Sequence, residues 1–288
     1  MSEKIQITTD STADLLPPLD TEYGIYTIPL HINLNGKTYR EMIDITPTEL
    51  FHAWEDEGKM AKTSAGPIGE YEDIFRKLTG DGFTVVHISL SSELSTSYRN
   101  ATLAAAEFPG KVFVVDSMQM SMAQGILCIE AARLRDAGKS AAEIAETITA
   151  MRHKSHVSAI FANLDYPAAG GRVPKFIGIG ATALKLRPSA HQNGKTGKID
   201  IAKIYRGPLH KCRLQYLTDT LETALEKMDK RFAFVLRTED LPDEDFHPLV
   251  AFAKEKLRDV ERIVDESVGC LISLNCGSKA FGFAWLEA

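Results

Sequence analysis

Cysteine is scarce in this sequence of 288 residues: there are four, at positions 128, 212, 270 and 276. None forms a C-x-x-C pair and no second pair sits at zinc spacing, so a disulfide framework and a zinc ribbon are excluded, and the four read as reduced thiols. An excess of positive charge is also missing. The net charge is −6 and the isoelectric point is near 5.8. With no basic block beyond the short "GGRVPK", neither nucleic acid nor an anionic lipid surface is expected as the main partner. No apolar run approaches a membrane span. The opening "MSEKIQITTD" lacks the apolar core of a signal peptide, so a soluble, cytoplasmic protein is expected. G-x-x-x-x-G-K-[ST], H-E-x-x-H, an EF-hand loop and G-x-S-x-G are all absent, which argues against a P-loop nucleotide site, a zincin, a calcium site and an ordinary serine hydrolase. His153 and His156 lie three apart with no third ligand near them, so no metal is expected.

What is present is the material of a globular α/β protein, 44% hydrophobic and 25% charged. "KIQITTD" reads as a buried strand that exits into Ser11 and Thr12. "YTIPLHINLNG" reads as one extended run closed by Asn35-Gly36. "TPTELFHAWEDEG" is a helix with a capping box, Thr46 at N-cap, Pro47 at N1 and Glu49 at N3, stopped at Gly58. A helix is expected from about Pro67, after a loop holding Thr63 and Ser64. Then "FTVVHISL" (strand), "LSTSYRNATLAAAEF" (helix), "KVFVVDS" (strand) and "MSMAQGILCIEAARLRDAG" (helix) alternate. Ser140 and Glu143 open a further helix with a second capping box. Such alternation indicates βαβ units and a parallel sheet, with the carboxyl ends of the strands along one edge.

The pattern changes after about residue 156, where "HVSAIFANLDY" reads as a strand. "ALKLRPSAHQ", the turn "NGKTGK" and "IDIAKIYRG" form a hairpin. A long helix and further strands follow, which suggests a mixed sheet. The expected class is therefore α/β in two domains: a parallel α/β/α sheet domain over residues 1–160 and a mixed-sheet α/β domain over residues 161–288.

The strongest chemical signal is hydroxyl clustering where strands hand over to helices. "HISLSSELSTSYRNA" carries Ser89, Ser91, Ser92, Ser95, Thr96 and Ser97, and Thr63-Ser64 and Ser11-Thr12 occupy comparable positions. Helix capping needs only one hydroxyl. Several converging hydroxyls and free amides suit an anion, and with no Lys or Arg in the clusters a carboxylate fits better than a phosphate. Capping alone remains the alternative. A serine of 91–97 acting as nucleophile is a further reading, with His87 as the nearest base in sequence. "GIGATA" (178–183) matches G-x-G-x-x-A but follows too short a strand, and reads as small residues for tight packing.

The segments "ITTDSTADL", "KTSAGP", "SLSSELSTSYRNA", "VFVVDS", "NLDYPAAGGRVPKF" and "ALKLRPSAHQNGKTGKI" occur in the order seen in the DegV family, which the chain resembles along almost its whole length. Gly-Gly-Arg followed by L-K-L-R-P is the most specific part. The resemblance implies two α/β domains with a ligand cleft between them that holds one long-chain fatty acid, and no other cofactor. It implies a non-catalytic subunit that presents the acyl carboxylate to a separate ATP-dependent fatty acid kinase, with transient membrane contact for lipid exchange. It places Thr63 and Ser92, with their neighbours Ser64 and Ser91, at the carboxylate, and Gly170, Gly171 and Arg172 at the entrance. Arg206 matches a basic position that engages the kinase. Candidate tail-lining residues are Phe161, Phe176, Ile177, Ile179, Leu184, Leu186, Leu271, Phe281 and Phe283. The sequence departs from the family at Ala65-Gly66-Pro67, at Thr96-Ser97, at Pro167-Ala168-Ala169 and at Asn275, which stands where the family has a histidine. An amide donates a hydrogen bond but cannot become a cation. A divergent member taking another small anionic or lipid ligand is the alternative reading.

Overall fold

The structure is a computed structural model and describes residues 3–172 and 185–288. The first sheet takes β1 (Ile5–Asp10), β2 (Ile25–Ile28), β6 (Thr84–Ser89) and β7 (Val112–Asp116), all parallel, in the order β2-β1-β6-β7. All six residues of β6 are buried, as expected of a parallel strand covered on both faces. One face packs on α3 (Ile68–Gly80) and α4 (Ser97–Ala105) through Ile28, Tyr71, Phe75 and Val85. The other face packs on α5 (Ser121–Asp136) and α6 (Ala141–Met151).

The second sheet is mixed. It orders β10 (Ile199–Arg206), β9 (Leu186–Gln192), β8 (Ser155–Ile160), β13 (Phe281–Glu287), β11 (Met228–Arg237) and β12 (Arg262–Ser267) as β10-β9-β8-β13-β11-β12, with only β11 and β12 parallel. Helices α8 (Leu209–Leu225) and α9 (Asp243–Lys256) cover its outer face. Its inner face meets α5. Residues 121–132 of that helix are buried without a break, which is the signature of a helix packed on both sides. One core therefore joins Ile7 and Ile88 of the first sheet to Phe234 and Ala284 of the second.

Both capping boxes form as the sequence implies, on α2 (Pro47–Glu55) and α6. Two expectations change. The chain switches sheets at Ser155, ahead of residue 160, because Ile160 pairs with Phe281 and Ser189 and so belongs to the second sheet. The run "YTIPLHINLNG" is also not continuous. It breaks at Pro29-Leu30 into β2 and β3 (His31–Leu34), and Pro29 supplies no amide to a ladder. β3 joins β4 (Lys37–Arg40) through the turn Asn35-Gly36, both at positive φ, and pairs with β5 (Lys62–Ser64) on its other side. This small third sheet carries Thr63 and Ser64 to the site.

Candidate functional site

The carboxyl ends of β1, β6 and β7 meet on one edge, as the parallel pattern requires, but most of their hydroxyls hold the edge together. Asp10 ends β1 fully buried and accepts hydrogen bonds from Tyr71 Oη at 2.6 Å, Ser89 Oγ at 2.7 Å and the Leu90 amide at 2.8 Å. Burial alone would raise this carboxyl. The adjacent His87, Tyr71 and the Leu90 amide outweigh burial and hold it below the usual carboxylate range. Ser91 is buried and donates to the Gly197 carbonyl at 2.7 Å. Ser92 is exposed, and its amide reaches Asp116 at 3.2 Å. Neither Ser91 nor Ser92 is among the residues that line the two cavities beside this edge. The bond to Gly197, far off in the β9–β10 turn, fixes the start of this loop and turns Ser92 outward.

Two adjoining cavities open beside that edge. The first, of about 520 Å³ with its mouth included, is polar at one end and lined by Thr12, Thr63, Ser64, Ser95 and Asn275, with Leu30, Leu90, Leu94 and Leu271. Ser64 Oγ accepts from Asn33 at 3.1 Å, and Ser95 Oγ lies 3.0 Å from Ser97 Oγ. Thr63 Oγ1 has no hydrogen-bond partner among the described residues, so it is free to donate. The second cavity, of about 690 Å³ with its mouth included, is almost wholly apolar, with Phe161, Val157, Ala190, Leu236 and Phe281 around it. Met120, Arg172, Ile199, Ile272 and Asn275 line both cavities. The two therefore adjoin between the sheets as a recess, hydroxyls contributing to the first cavity and apolar side chains dominating the second.

Two short helices build the junction. α10 (Cys270–Cys276) presents Leu271, Ile272 and Asn275 to the recess. Its first amides are held by two buried carboxylates, Asp14 accepting from Gly269 N at 2.8 Å and Glu41 from Leu271 N at 2.6 Å. Asp14 also accepts from Ser121 Oγ at 2.5 Å, and Glu41 from Ser11 Oγ. Burial pushes Asp14 up to about 8 and Glu41 up to about 7. The other helix, α7 (Asp165–Gly170), packs on α10 and ends under Asn275. A Cβ at Gly170 would lie 2.6 Å from Asn275 Oδ1, so any larger residue there requires the Asn275 amide to shift. Gly171 follows at φ +71, in the left-handed region that favours glycine. Arg172 is exposed, donates to the Gly170 carbonyl at 2.6 Å and lines both cavities.

Thr63, Ser64, Arg172 and Asn275 are thus brought together, with Gly170 behind Asn275. Arg206 is exposed at the end of β10, the edge strand of the second sheet, and lines neither cavity. Met120, Ile199 and Ile272 enter the site without having been singled out for it, and Ser95 and Thr12 enter it from the hydroxyl clusters. Ser95 lay within the quoted cluster, and only the loop's path tells it from Ser92. Phe161 and Phe281 line the apolar cavity and Leu271 the polar one. Phe283 sits in the core beneath α8 and α9, and Leu186 packs beside Phe161. Phe176, Ile177, Ile179, Leu184 and the "GIGATA" segment lie outside the described residues.

The recess shows no hydrolytic couple. His87 is fully buried, its Nδ1 3.0 Å from Thr8 Oγ1 and its Nε2 3.6 Å from Asp10. The Ser89 hydroxyl goes to Asp10 and not to an imidazole. No serine hydroxyl bonds a histidine ring among the described residues. Nor do those residues contain a group of three or more His, Cys, Asp or Glu that could hold a metal ion, or a helix long and apolar enough to cross a membrane.

Residues 4–288 match a family model described as "Uncharacterised protein, DegV family". A DegV domain-containing protein of Clostridium acetobutylicum is 30% identical over 288 residues, covering 99% of each chain. Among solved structures, a DegV family protein of Thermus thermophilus, described for its fatty acid binding, is 28% identical. It superposes with a TM-score of 0.87 over 99% of this chain and 100% of that one. The Fatty Acid Kinase B3 protein of Streptococcus pneumoniae, loaded with linoleic acid, shares the fold at 18% identity. Its TM-score is 0.83, over 99% of this chain and 100% of that one.

Proposed function

The chain belongs to the DegV family, and we propose that it binds one long-chain fatty acid in the recess between its sheets, catalysing nothing by itself. The carboxylate lies among Thr63, Ser64 and Ser95, with Arg172 at the rim, and the tail runs past Asn275 into the cavity of Phe161 and Phe281. The observation that carries this reading is that two adjoining cavities share Met120, Arg172, Ile199, Ile272 and Asn275, the one lined in part by hydroxyls and the other almost wholly apolar. The fatty acid binding of the Thermus protein supports the same reading.

The energetics assign the parts. About 14 buried methylenes at ~0.8 kcal/mol each contribute roughly 11 kcal/mol. Each hydrogen bond to a charged head adds about 1.5–3 kcal/mol. The tail therefore sets affinity and the head sets register. Cys276, in the apolar cavity, stays a neutral thiol because burial pushes it up to about 12, which suits a hydrocarbon neighbour. The acid is presented to a separate ATP-dependent kinase that docks over the surface bearing Arg206. The common fold with the fatty acid kinase B3 protein favours such a partner.

The reading is tested by extracting the purified protein with organic solvent and analysing the extract by mass spectrometry. A fatty acid at close to one per chain is expected. A protein that carries none, and takes up none from a mixture of C14–C18 acids, would contradict it.

A further inference from the structure

Asparagine is a poor strand former, yet Asn33 sits inside β3, the middle strand of the small third sheet. On one side it pairs with Thr38 of β4. On the other, the register sets His31 against Ser64 and Asn33 against Lys62, which brings Asn33 diagonally onto Ser64. Thr38, Asn33 and Ser64 therefore form a row across the sheet. Thr38 Oγ1 donates to Asn33 Oδ1 at 2.7 Å, and Asn33 Nδ2 donates to Ser64 Oγ at 3.1 Å. Both distances agree with that orientation of the amide, the shorter being usual for O–H···O and the longer for N–H···O.

Ser64 is the last residue of β5 and lines the first cavity together with Thr63 and Ala65. A serine hydroxyl has one proton to give. Because Asn33 meets the Ser64 oxygen as a donor, that proton is not spent on Asn33, and no acceptor for it lies among the described residues. It is left for a guest. The bond received from Asn33 also polarises the hydroxyl and strengthens what it donates in turn. A row that only braced the sheet would serve every guest alike. One that aims a proton serves a charged head.

Resting on the fatty acid reading, we propose that Asn33 is a positioning residue for the head group: held by Thr38, its amide donates to Ser64 Oγ and so directs the Ser64 proton to the carboxylate of the guest. The acid end then meets a donor whose rotation is already restricted, and less side-chain freedom is lost on binding.

The test is equilibrium binding of myristate and of tetradecanol, a chain of the same length without a carboxylate. The proteins are the parent, Asn33→Leu, Asn33→Val, Ser64→Ala and the two double variants. Leu and Val avoid the polar side chain while Val also suits a strand, and the variant that keeps the parent's thermal midpoint is the one read. Losing a whole bond to a charged head weakens binding roughly tenfold or more. Ser64 keeps part of its bond by rotating, so the Asn33 variants should bind myristate at least about threefold less tightly. Tetradecanol binding should change by less than about twofold, and in the Ser64→Ala background the Asn33 substitutions should no longer matter. Myristate held as tightly as by the parent would overturn the proposal alone. Tighter binding would do the same, showing that Ser64 donates to Asn33 instead. So would an equal loss for both guests, or a loss that persists without the Ser64 hydroxyl. A parent protein that does not bind myristate would overturn the fatty acid reading and this inference with it.

Discussion

Replacing Gly170 by alanine probes the joint on which the recess depends. The new Cβ would lie 2.6 Å from Asn275 Oδ1, nearly an ångström inside ordinary van der Waals contact. Asn275 must move, and its bond to Leu271 at 2.7 Å loosens. Overpacking of this kind costs about 1–3 kcal/mol, and the strained hydrogen bond adds about 0.5–1.5 kcal/mol. The better helix propensity of alanine returns at most about 1 kcal/mol. Gly170→Ala should therefore destabilise by about 1–3 kcal/mol and weaken fatty acid binding. Gly171→Ala is the control. Nothing lies within 4 Å of its Cβ, but φ is +71, so it should cost about 1 kcal/mol of backbone strain and leave binding close to the parent value. In an Asn275→Ala background the obstacle is gone, and Gly170→Ala should become neutral or slightly stabilising. Urea unfolding of the four proteins of that cycle gives the coupling directly, and about 1–3 kcal/mol is expected. Coupling below about 0.5 kcal/mol, the limit of ordinary additivity, would refute the reasoning.

Three further outcomes are expected. Thr63→Ala and Ser95→Ala should each weaken fatty acid binding by roughly tenfold or more, the loss of one bond to a charged head; Ser92→Ala, exposed and outside the recess, should bind as the parent does, and calorimetry separates the cases. Stability should fall as pH rises from about 5 to 8, because Asp14 and Glu41, pushed up to about 8 and 7 by burial, hold protons in the folded state that the unfolded chain has already released. Each contributes its full stabilisation below the ordinary carboxylate range and loses it as pH passes its raised value, so Asp14→Asn should flatten the decline in thermal midpoint over that window. Tyr166→Phe should be neutral or stabilise by up to about 1 kcal/mol in urea unfolding, since the buried Tyr166 hydroxyl has no partner among the described residues and its removal relieves an unsatisfied group.

Local signals carried much of the fold. Thr46 with Glu49 and Ser140 with Glu143 announce their helices, and Asn35-Gly36 its hairpin, because a cap or a two-residue turn is decided by residues three or four apart. The alternation of strand and helix up to Ser155 is legible for the same reason, and it places the hydroxyl loops on one edge. Long-range pairing is what the sequence hides. Strand β8 follows the parallel-sheet segment in the chain, yet it joins the other sheet because β13, some 120 residues later, lies against it. The hydroxyl cluster shows the same limit. Ser89, Ser91 and Ser95 look alike in sequence. Which is structural and which faces the recess depends on Asp10 and on Gly197, 79 and 106 residues away. The resemblance pointed to Ser92, and the loop's path brings Ser95 to the cavity wall. That Asn33 meets Ser64 could not be read at all, because it depends on the pairing of β3 with β5.

The central claim is that one acyl chain lies along the recess with its acid end among the hydroxyls. A crystal structure of the protein grown with a C16 fatty acid tests it most directly. The carboxylate oxygens should lie at hydrogen-bond distance from Thr63 Oγ1 and Ser95 Oγ, with the tail passing Asn275 to end near Phe161 and Phe281. A fatty acid found elsewhere on the molecule, or lying in the recess with its tail toward Thr63, would contradict the account.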